Sequence, residues 1–198
     1  MGRPKEHGDA TRAALLARAG HLLQHEGPAA LSLRRLADDV GTTTRAVYSV
    51  FGGKDGLLAA MYQEMGDALA QSHAAVVPQK DVAEELALLC LAYRASVRRH
   101  PSLYPLLFGG LPGFTPNAED QEHARRGFVR VLAVLERGIE QGRFKGRTAQ
   151  EMAHELWALV HGLATLELQN ALGKPQRAVR LWKDATSNLI AGFGQPPL

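Results

Sequence analysis

The segment Leu33-Arg-Arg-Leu-Ala-Asp-Asp-Val-Gly-Thr-Thr-Thr-Arg-Ala-Val-Tyr-Ser-Val-Phe51 holds two short helical patterns separated by one glycine and a run of threonines. In the first, Leu33, Leu36, Ala37 and Val40 recur at the spacing of one helix face, with Ser32 placed to cap it and Gly41 to stop it. In the second, Thr43 caps a helix whose Val47, Val50 and Phe51 point inward, and Gly52-Gly53 ends it. Two such helices joined by a tight turn containing glycine are the helix-turn-helix plan, in which the second helix enters the DNA major groove with its N-terminal residues toward the bases. The polar residues follow that plan. Thr42, Thr43, Thr44 and Arg45 crowd the N-terminal end, where unpaired backbone N–H groups and the helix dipole favour phosphate. Arg45 suits bidentate reading of a guanine edge, and Tyr48, one turn on, can offer its hydroxyl to a phosphate while its ring packs. Lys54 opens the next helix beyond the glycines, and Arg34 stands on the exposed side of the first; both suit contacts to the DNA backbone. Each of these side chains alone is more often simply solvated, so it is their joint spacing that carries the reading.

Working outward, Leu15, Leu16, Ala19, Leu22 and Leu23 place a first helix over roughly 10–25, starting after Asp9 or Thr11 and stopped by Gly27-Pro28. A long fourth helix runs from about 55 through Leu57, Leu58, Met61, Tyr62, Met65 and Leu69 toward Val77, before Pro78. Asp81-x-x-Glu84 reads as a capping box opening a helix that reaches His100, with Pro101 just beyond. Residues 101–116 mix apolar bulk with helix breakers, which predicts one short helix and then a loop. Helix resumes over roughly 118–141. Thr148-x-x-Glu151 is a second capping box, for a helix to about Leu172, and Pro175 fits the first turn of a last helix ending near Phe193. No window alternates with period two between hairpin turns, so the expected fold is all-α, with about nine helices. Residues 1–53 form the expected three-helix DNA-binding domain; 54–198 form a larger helical domain for ligand binding and dimerisation, linked through the fourth helix.

Composition bounds the remaining possibilities. At 198 residues the chain can bury a real core without staples. Its 23 basic and 20 acidic residues leave a net charge of +3, too mild by itself to prove a nucleic-acid partner. The single cysteine, Cys90, rules out an intramolecular disulfide framework and a multi-cysteine zinc site. The N-terminus lacks the apolar stretch of a signal peptide, and no run of about 18 apolar residues spans a membrane, which predicts a cytoplasmic protein with no membrane partner. The signature motifs of hydrolases, zinc proteases and nucleotide-binding enzymes are missing, so an enzyme, a cofactor and a metal are not expected. His154 and His161 could be imagined as metal ligands, but Glu155 does not share their face and no third histidine follows at the needed spacing. The adjacent pairs Asp38-Asp39 and Glu84-Glu85 cannot converge on one helix face and read as solvated surface.

From Arg12 to about Tyr62 the chain resembles the DNA-binding domain of the TetR family of bacterial transcriptional regulators. Helix one, Gly27, Leu31-Ser-Leu-Arg-Arg-Leu-Ala37, Gly41 and Val47-Tyr-Ser-Val-Phe-Gly-Gly-Lys-Asp-Gly-Leu57 stand in family order. The resemblance implies DNA contacts at Thr43, Thr44, Arg45, Tyr48 and Lys54, with Ser32, Arg34, Thr42 and Ser49 as auxiliary contacts. Many members carry histidine just before the phenylalanine; Val50 stands here, which removes one phosphate contact. Gly2-Arg-Pro-Lys5 is similar to the basic arms that some members lay along the minor groove. The resemblance also implies a homodimer on a pseudo-palindromic double-stranded operator, repression of transcription, and release by a small-molecule effector held in the C-terminal domain.

The residues give the dimer separate support. Met152, Leu156, Leu159, Val160, Leu163 and Leu166 make the penultimate helix apolar around most of its circumference, too broad a band for one buried face. On the last helix Ala178, Trp182, Ala185, Leu189 and Phe193 form a stripe, with Val179, Thr186 and Ile190 beside it. Two such helices from each subunit would close a four-helix bundle, which places the interface on Leu156, Leu159, Leu163, Leu166, Trp182, Ala185, Leu189 and Phe193. A monomer with a thicker core is the competing account. A two-turn recognition helix favours the dimer, because doubling the site doubles the readout.

Trp157-Ala-Leu-Val-His-Gly162, with the stretch from His100 to Phe108, resembles a TetR C-terminal subgroup named for its Trp-His-Gly motif. Trp157 and His161, four apart, share a helix face, and Gly162 permits close approach of a ligand or another backbone. Tyr93, Tyr104, Phe108, Phe114, Phe128, Trp157 and His161 are the expected lining of an effector pocket for a partly apolar ligand; the same aromatics could equally be plain core. The alternative function is a helical protein that coats DNA without sequence preference, which predicts a strongly basic chain and a steep salt dependence.

Overall fold

The computed structural model describes residues 4–104 and 114–195, with side chains from residue 8 onward. Among the described residues there are eight α-helices, one 3-10 turn (Pro28–Ala30) and no strand. The helices are α1 (Pro4–Glu26), α2 (Leu33–Val40), α3 (Thr44–Phe51), α4 (Lys54–Ala74), α5 (Val82–Arg99), α6 (Ala118–Glu140), α7 (Ala149–Leu168) and α8 (Pro175–Gly192). The short helix expected after Pro101 falls largely outside the described residues; Pro101 to Leu103 form a turn. The chain divides into two compact units, Met1–Gly66 with His100–Ala124, and Asp67–Arg99 with Arg125–Leu198.

In the first unit α1 begins at Pro4, earlier than Asp9, because proline at a first helical position forfeits only an N–H that has no partner there. It buries Leu15, Leu16, Ala19 and Leu22 on one face, and α2 and α3 pack against it. Ser32 sits in the extended region and its Oγ accepts the Arg35 N–H at 3.2 Å, which starts α2. At the other end Gly41 takes φ 74°, where its N–H reaches the Asp38 carbonyl and the Thr42 N–H the Ala37 carbonyl. This is a Schellman closure, and a side chain in that left-handed position would be strained. Two ion pairs hold α2 on α1: Arg18 with Asp39 at 2.7 Å, and the Arg35 fork on both oxygens of Glu26 at 2.7 Å. Asp39 is therefore engaged with its neighbours, not merely solvated. Asn117 and Asp120 cap α6 reciprocally, and buried Asp120 also accepts from Gln63 at 2.8 Å.

In the second unit α8 packs against α5 and α7. Its core takes Leu86, Leu89 and Val97 from α5, Val134 and Leu135 from α6, and Met152, Leu156 and Val160 from α7. From α8 come Ala178, Trp182 and Ile190. The Thr148–Glu151 capping box is formed with both of its bonds, and Pro175 opens α8 as expected. At α5 the capping differs from expectation. Asp81 accepts the Ala83 N–H at 2.8 Å, but the residue that reaches back to the loop is Glu85, which accepts the Gln79 N–H at 2.9 Å. Glu85 is fully buried between Arg130 and Arg137 of α6, so reading Glu84-Glu85 as surface fails for its second member. Burial pushes its carboxyl up, yet the Gln79 N–H and the guanidinium groups of Arg137 and Arg130 outweigh that and hold it below the usual range.

Candidate nucleic-acid interface

The cap on α3 decides which side chains face out. Thr43 is extended, and its Oγ1 accepts the Ala46 N–H at 3.1 Å. The helix that follows buries Val47 and exposes Arg45, Tyr48 and Ser49, which share the opposite face at spacings of three and four. Tyr48 is 54% exposed, a high value for an aromatic side chain. Thr42 and Thr44 are half-buried in the turn, as is Val50 further along. Ser32 and Thr43 spend their lone pairs on caps but keep their hydroxyl protons, which remain able to donate to a phosphate.

Behind the recognition helix the chain turns within two residues. Gly52 closes α3 in the left-handed region, with its N–H on the Tyr48 carbonyl at 2.8 Å, and α4 starts at Lys54. Gly56 lies directly against the Phe51 carbonyl, in the place a Cβ would occupy, so only glycine allows α4 to leave α3 this tightly. Lys54 is thereby exposed at the positive end of a helix dipole, where a cation gains nothing from the fold itself.

Electrostatics separate the basic residues of this unit into two sets. Arg18 and Arg35 are bound to Asp39 and Glu26. Arg34, Arg45 and Lys54 are exposed and make no ion pair among the described residues. Arg12 lies with its guanidinium 5.8 Å from the centre of the Phe51 ring. The expected N-terminal arm is only partly describable: Gly2 and Arg3 lie outside the described residues, and Pro4 and Lys5 belong to the first turn of α1, not to an extended strand.

The described members of the seven aromatics expected to line an effector pocket are distributed over both units. Phe128, Trp157 and His161 come together in the second unit, with ring centres 5.8 Å apart for the first pair and 6.3 Å for the second. Tyr93 is buried in the same unit. Burial pushes the His161 imidazole below its ordinary pKa. Tyr104 and Phe114 belong to the first unit, where Phe114 sits 6.2 Å from the Tyr62 ring, and Phe108 lies outside the described residues.

The expected interface residues also divide. Leu156, Trp182 and Phe193 are buried within the chain itself, Phe193 edge-on to Phe144 at 5.9 Å, so these three pack in the core and are not available to a partner. Leu159, Leu163, Ala185 and Leu189 are half-buried, and Leu166 is 44% exposed. A Cβ added at Gly162 would meet nothing of the chain within 4 Å, so the glycine opens outward and admits no close approach from within. Sequence reasoning missed the bidentate pair of Arg94 on α5 with Glu167 on α7, whose members stand 73 residues apart. None of the described helices is long and apolar enough to cross a membrane.

A family model described as "Bacterial regulatory proteins, tetR family" matches residues 15–61. A second, described as "Tetracyclin repressor-like, C-terminal domain", matches residues 86–189, more than half of the chain. No curated protein sequence matches. Among solved structures, a protein of unknown function from Rhodococcus sp. RHA1 superposes with a TM-score of 0.79 at 25% identity, over 93% of this chain and 96% of its own. The TetR family transcriptional regulator PfmR from Thermus thermophilus gives 0.74 at 19% identity, over 89% of this chain and 96% of its own. A regulatory protein of the tetR family from Rhodococcus RHA1 gives 0.76 at 18% identity, over 91% and 96%.

Proposed function

Because the chain belongs to the tetR family of bacterial regulatory proteins, and is thus a DNA-binding transcriptional regulator and not an enzyme, we propose that it acts as an effector-released repressor. The observation that carries the DNA part is the division of cations. Arg45 on the exposed face of α3, with Arg34 and Lys54 flanking it, makes no ion pair among the described residues, while Arg18 and Arg35 are neutralised by the fold. Arg45 reads a base edge in the major groove, Tyr48, Thr44 and Ser49 fix the helix on the adjoining phosphates, and Lys54 holds the backbone beyond it. The capping hydroxyls of Ser32 and Thr43, with Thr42 and Arg34, complete the backbone contacts.

Two copies are needed, since one two-turn helix reads too few bases. They pair through the outward stripes of α7 (Leu159, Leu163, Leu166) and α8 (Ala185, Leu189), which the single chain leaves partly uncovered. The operator is then pseudo-palindromic, with half-sites about one helical turn, roughly 34–36 Å, apart. In the cytoplasm a small, partly apolar effector that binds better to a conformer with misaligned heads shifts the population off DNA, and by no more than its differential affinity for the two states. Phe128, Trp157, His161 and Tyr93 supply an apolar wall in the unit that carries α7 and α8.

The test is competition between the protein's own promoter region and random duplex at two salt concentrations. Protection of one pseudo-palindromic site that survives the higher salt is the expected result; uniform, salt-sensitive coating of any duplex would replace this reading with a non-specific DNA-binding protein.

A further inference from the structure

Earlier on α1 than Arg18 stands another guanidinium, and its surroundings differ. Arg18 gives its donors to Asp39 and His21, whereas exposed Arg12 makes no ion pair among the described residues. Its guanidinium carbon lies over the Phe51 ring, 5.8 Å from the centre. Asp9, one turn earlier on the same helix, is exposed and makes no ion pair with it. An aromatic ring attracts a cation through its quadrupole, but it neither neutralises the charge nor accepts from the N–H donors as a carboxylate does. Arg12 is therefore held in place with its charge and its hydrogen-bonding capacity unspent. The ring that holds it belongs to the recognition helix. Thr44, Tyr48 and Phe51 follow one another at helical spacings of four and three, so Phe51 continues the stripe of α3 that carries Tyr48. Gly53 lies beside the Tyr48 ring, since a Cβ there would stand 3.8 Å from Tyr48 Cε1, and Lys54 follows at the start of α4. The corner between α3 and α4 thus carries a phenol, an ammonium and, from α1, a guanidinium, all within the first unit.

We propose that Arg12 is a further phosphate contact of the nucleic-acid interface, beside Lys54, and that Phe51 is the positioning residue that holds it there. A guanidinium combines the two tasks: it stacks on an aromatic ring and presents a planar fork of donors to a phosphate. Held in advance, it loses less side-chain freedom on binding than a solvated arginine does. Base reading does not fit its place, because Arg12 adjoins the C-terminal end of α3, whereas a recognition helix meets base edges with its N-terminal residues. The contact therefore adds affinity for every duplex and no discrimination among them. The inference deepens the DNA-binding reading above and rests on it. The competing role is internal: a tie between α1 and α3 that DNA never touches.

The test is titration of the full-length protein with its own promoter region and with random duplex over a range of salt concentrations. Arg12→Ala should weaken both by about the same factor, roughly fivefold to tenfold at about 0.1 M salt, and should lower the slope of log affinity against log salt by about one. Arg12→Lys should restore the slope, because the charge returns, and only part of the affinity, because the fork does not. The urea midpoint should stay at the wild-type value in both variants, since the side chain is exposed. A tie between helices predicts the reverse, a lower midpoint with an unchanged salt slope, and that result overturns the proposal. A loss confined to the promoter site, with random duplex unaffected, places Arg12 on base edges and overturns it equally. The role of the ring is read from a double-mutant cycle: Phe51→Leu should cost affinity in the wild type and little in Arg12→Ala, whereas equal costs would show that Phe51 does not hold the cation. A wild-type protein that binds no duplex fails the DNA-binding reading itself; a wild-type protein that binds, with the same slope in Arg12→Ala, fails the role of Arg12 alone.

Discussion

At the residue scale, specificity and affinity should come apart. In the proposed reading Arg45, exposed on α3 and without an ion pair among the described residues, contacts a base edge, so Arg45→Ala should cost roughly 1 to 3 kcal/mol of discrimination at one or two operator positions. Lys54→Ala should weaken all duplexes about equally and lower the salt slope by about one. Titrations of both variants against single-base operator changes check this, and an identical pattern of loss in the two would refute the division of roles. Gly56 is a different kind of residue. A methyl there runs into the Phe51 carbonyl, so Gly56→Ala should destabilise the protein by about 1 to 3 kcal/mol in denaturant unfolding, the range of an overpacked core. It should also weaken operator binding, because α3 and Lys54 are forced apart. Wild-type stability in that variant would mean that the turn opens freely. The exposed face of α3 was legible in the sequence because its ends are marked locally: Ser32, Gly41, Thr43 and Gly52 cap or close α2 and α3 within a few residues of the side chains they present. What sequence could not show is which cations the fold neutralises, since Arg18 meets Asp39 only 21 residues further on.

At the element scale, helices announced by their own ends were legible, and contacts between helices were not. Thr148, Glu151 and Pro175 mark α7 and α8 locally, whereas Glu85 finds Arg130 and Arg137 at separations of 45 and 52 residues, and nothing near Glu85 in the chain signals its burial. A broad apolar band likewise says that a helix is covered on two sides without saying which side its own chain covers. That is why Leu156, Trp182 and Phe193 proved to be core. His73 is a further buried polar residue of this kind. It lies on α4, 6% exposed, with Nδ1 2.7 Å from the Gly127 carbonyl of α6, and burial holds its imidazole below the ordinary value of 6.5. Since the folded pKa is depressed, the unfolded chain binds the proton more readily below about pH 6.5. His73 therefore contributes its full stability above that pH and loses it as pH falls toward the folded value. Urea midpoints at pH 7.5, 6.5 and 5.5 should decline for the wild type and decline less for His73→Gln, whose carboxamide can still donate to Gly127. His161, shifted in the same direction, leaves a residual slope. Parallel slopes in the two proteins would show that His73 does not titrate differently on unfolding.

At the scale of the whole molecule, the proposed pairing of two subunits would turn a two-turn helix into a selective reader, and the burial pattern supplies variants that test it. Leu163 lies on the outward stripe of α7 and is half-buried, while Leu156, seven residues earlier, is 3% exposed and belongs to the core of its own chain. An arginine at the first position should therefore repel a partner yet leave the fold standing, whereas an arginine at the second should unfold the unit outright by burying an unpaired charge. Light scattering should give Leu163→Arg the mass of a single chain, with helical circular dichroism unchanged. Its operator affinity should fall on the order of a hundredfold, because the second half-site no longer benefits from the effective concentration set by the first. Non-specific binding, which depends on the cations of one head at a time, should weaken far less, so the ratio of specific to non-specific affinity shrinks along with the mass. A Leu163→Arg protein that stays dimeric places the two-fold axis elsewhere on the surface. One that becomes monomeric yet keeps full operator affinity shows that α3 alone carries the readout, and that the outward stripes of α7 and α8 serve another partner.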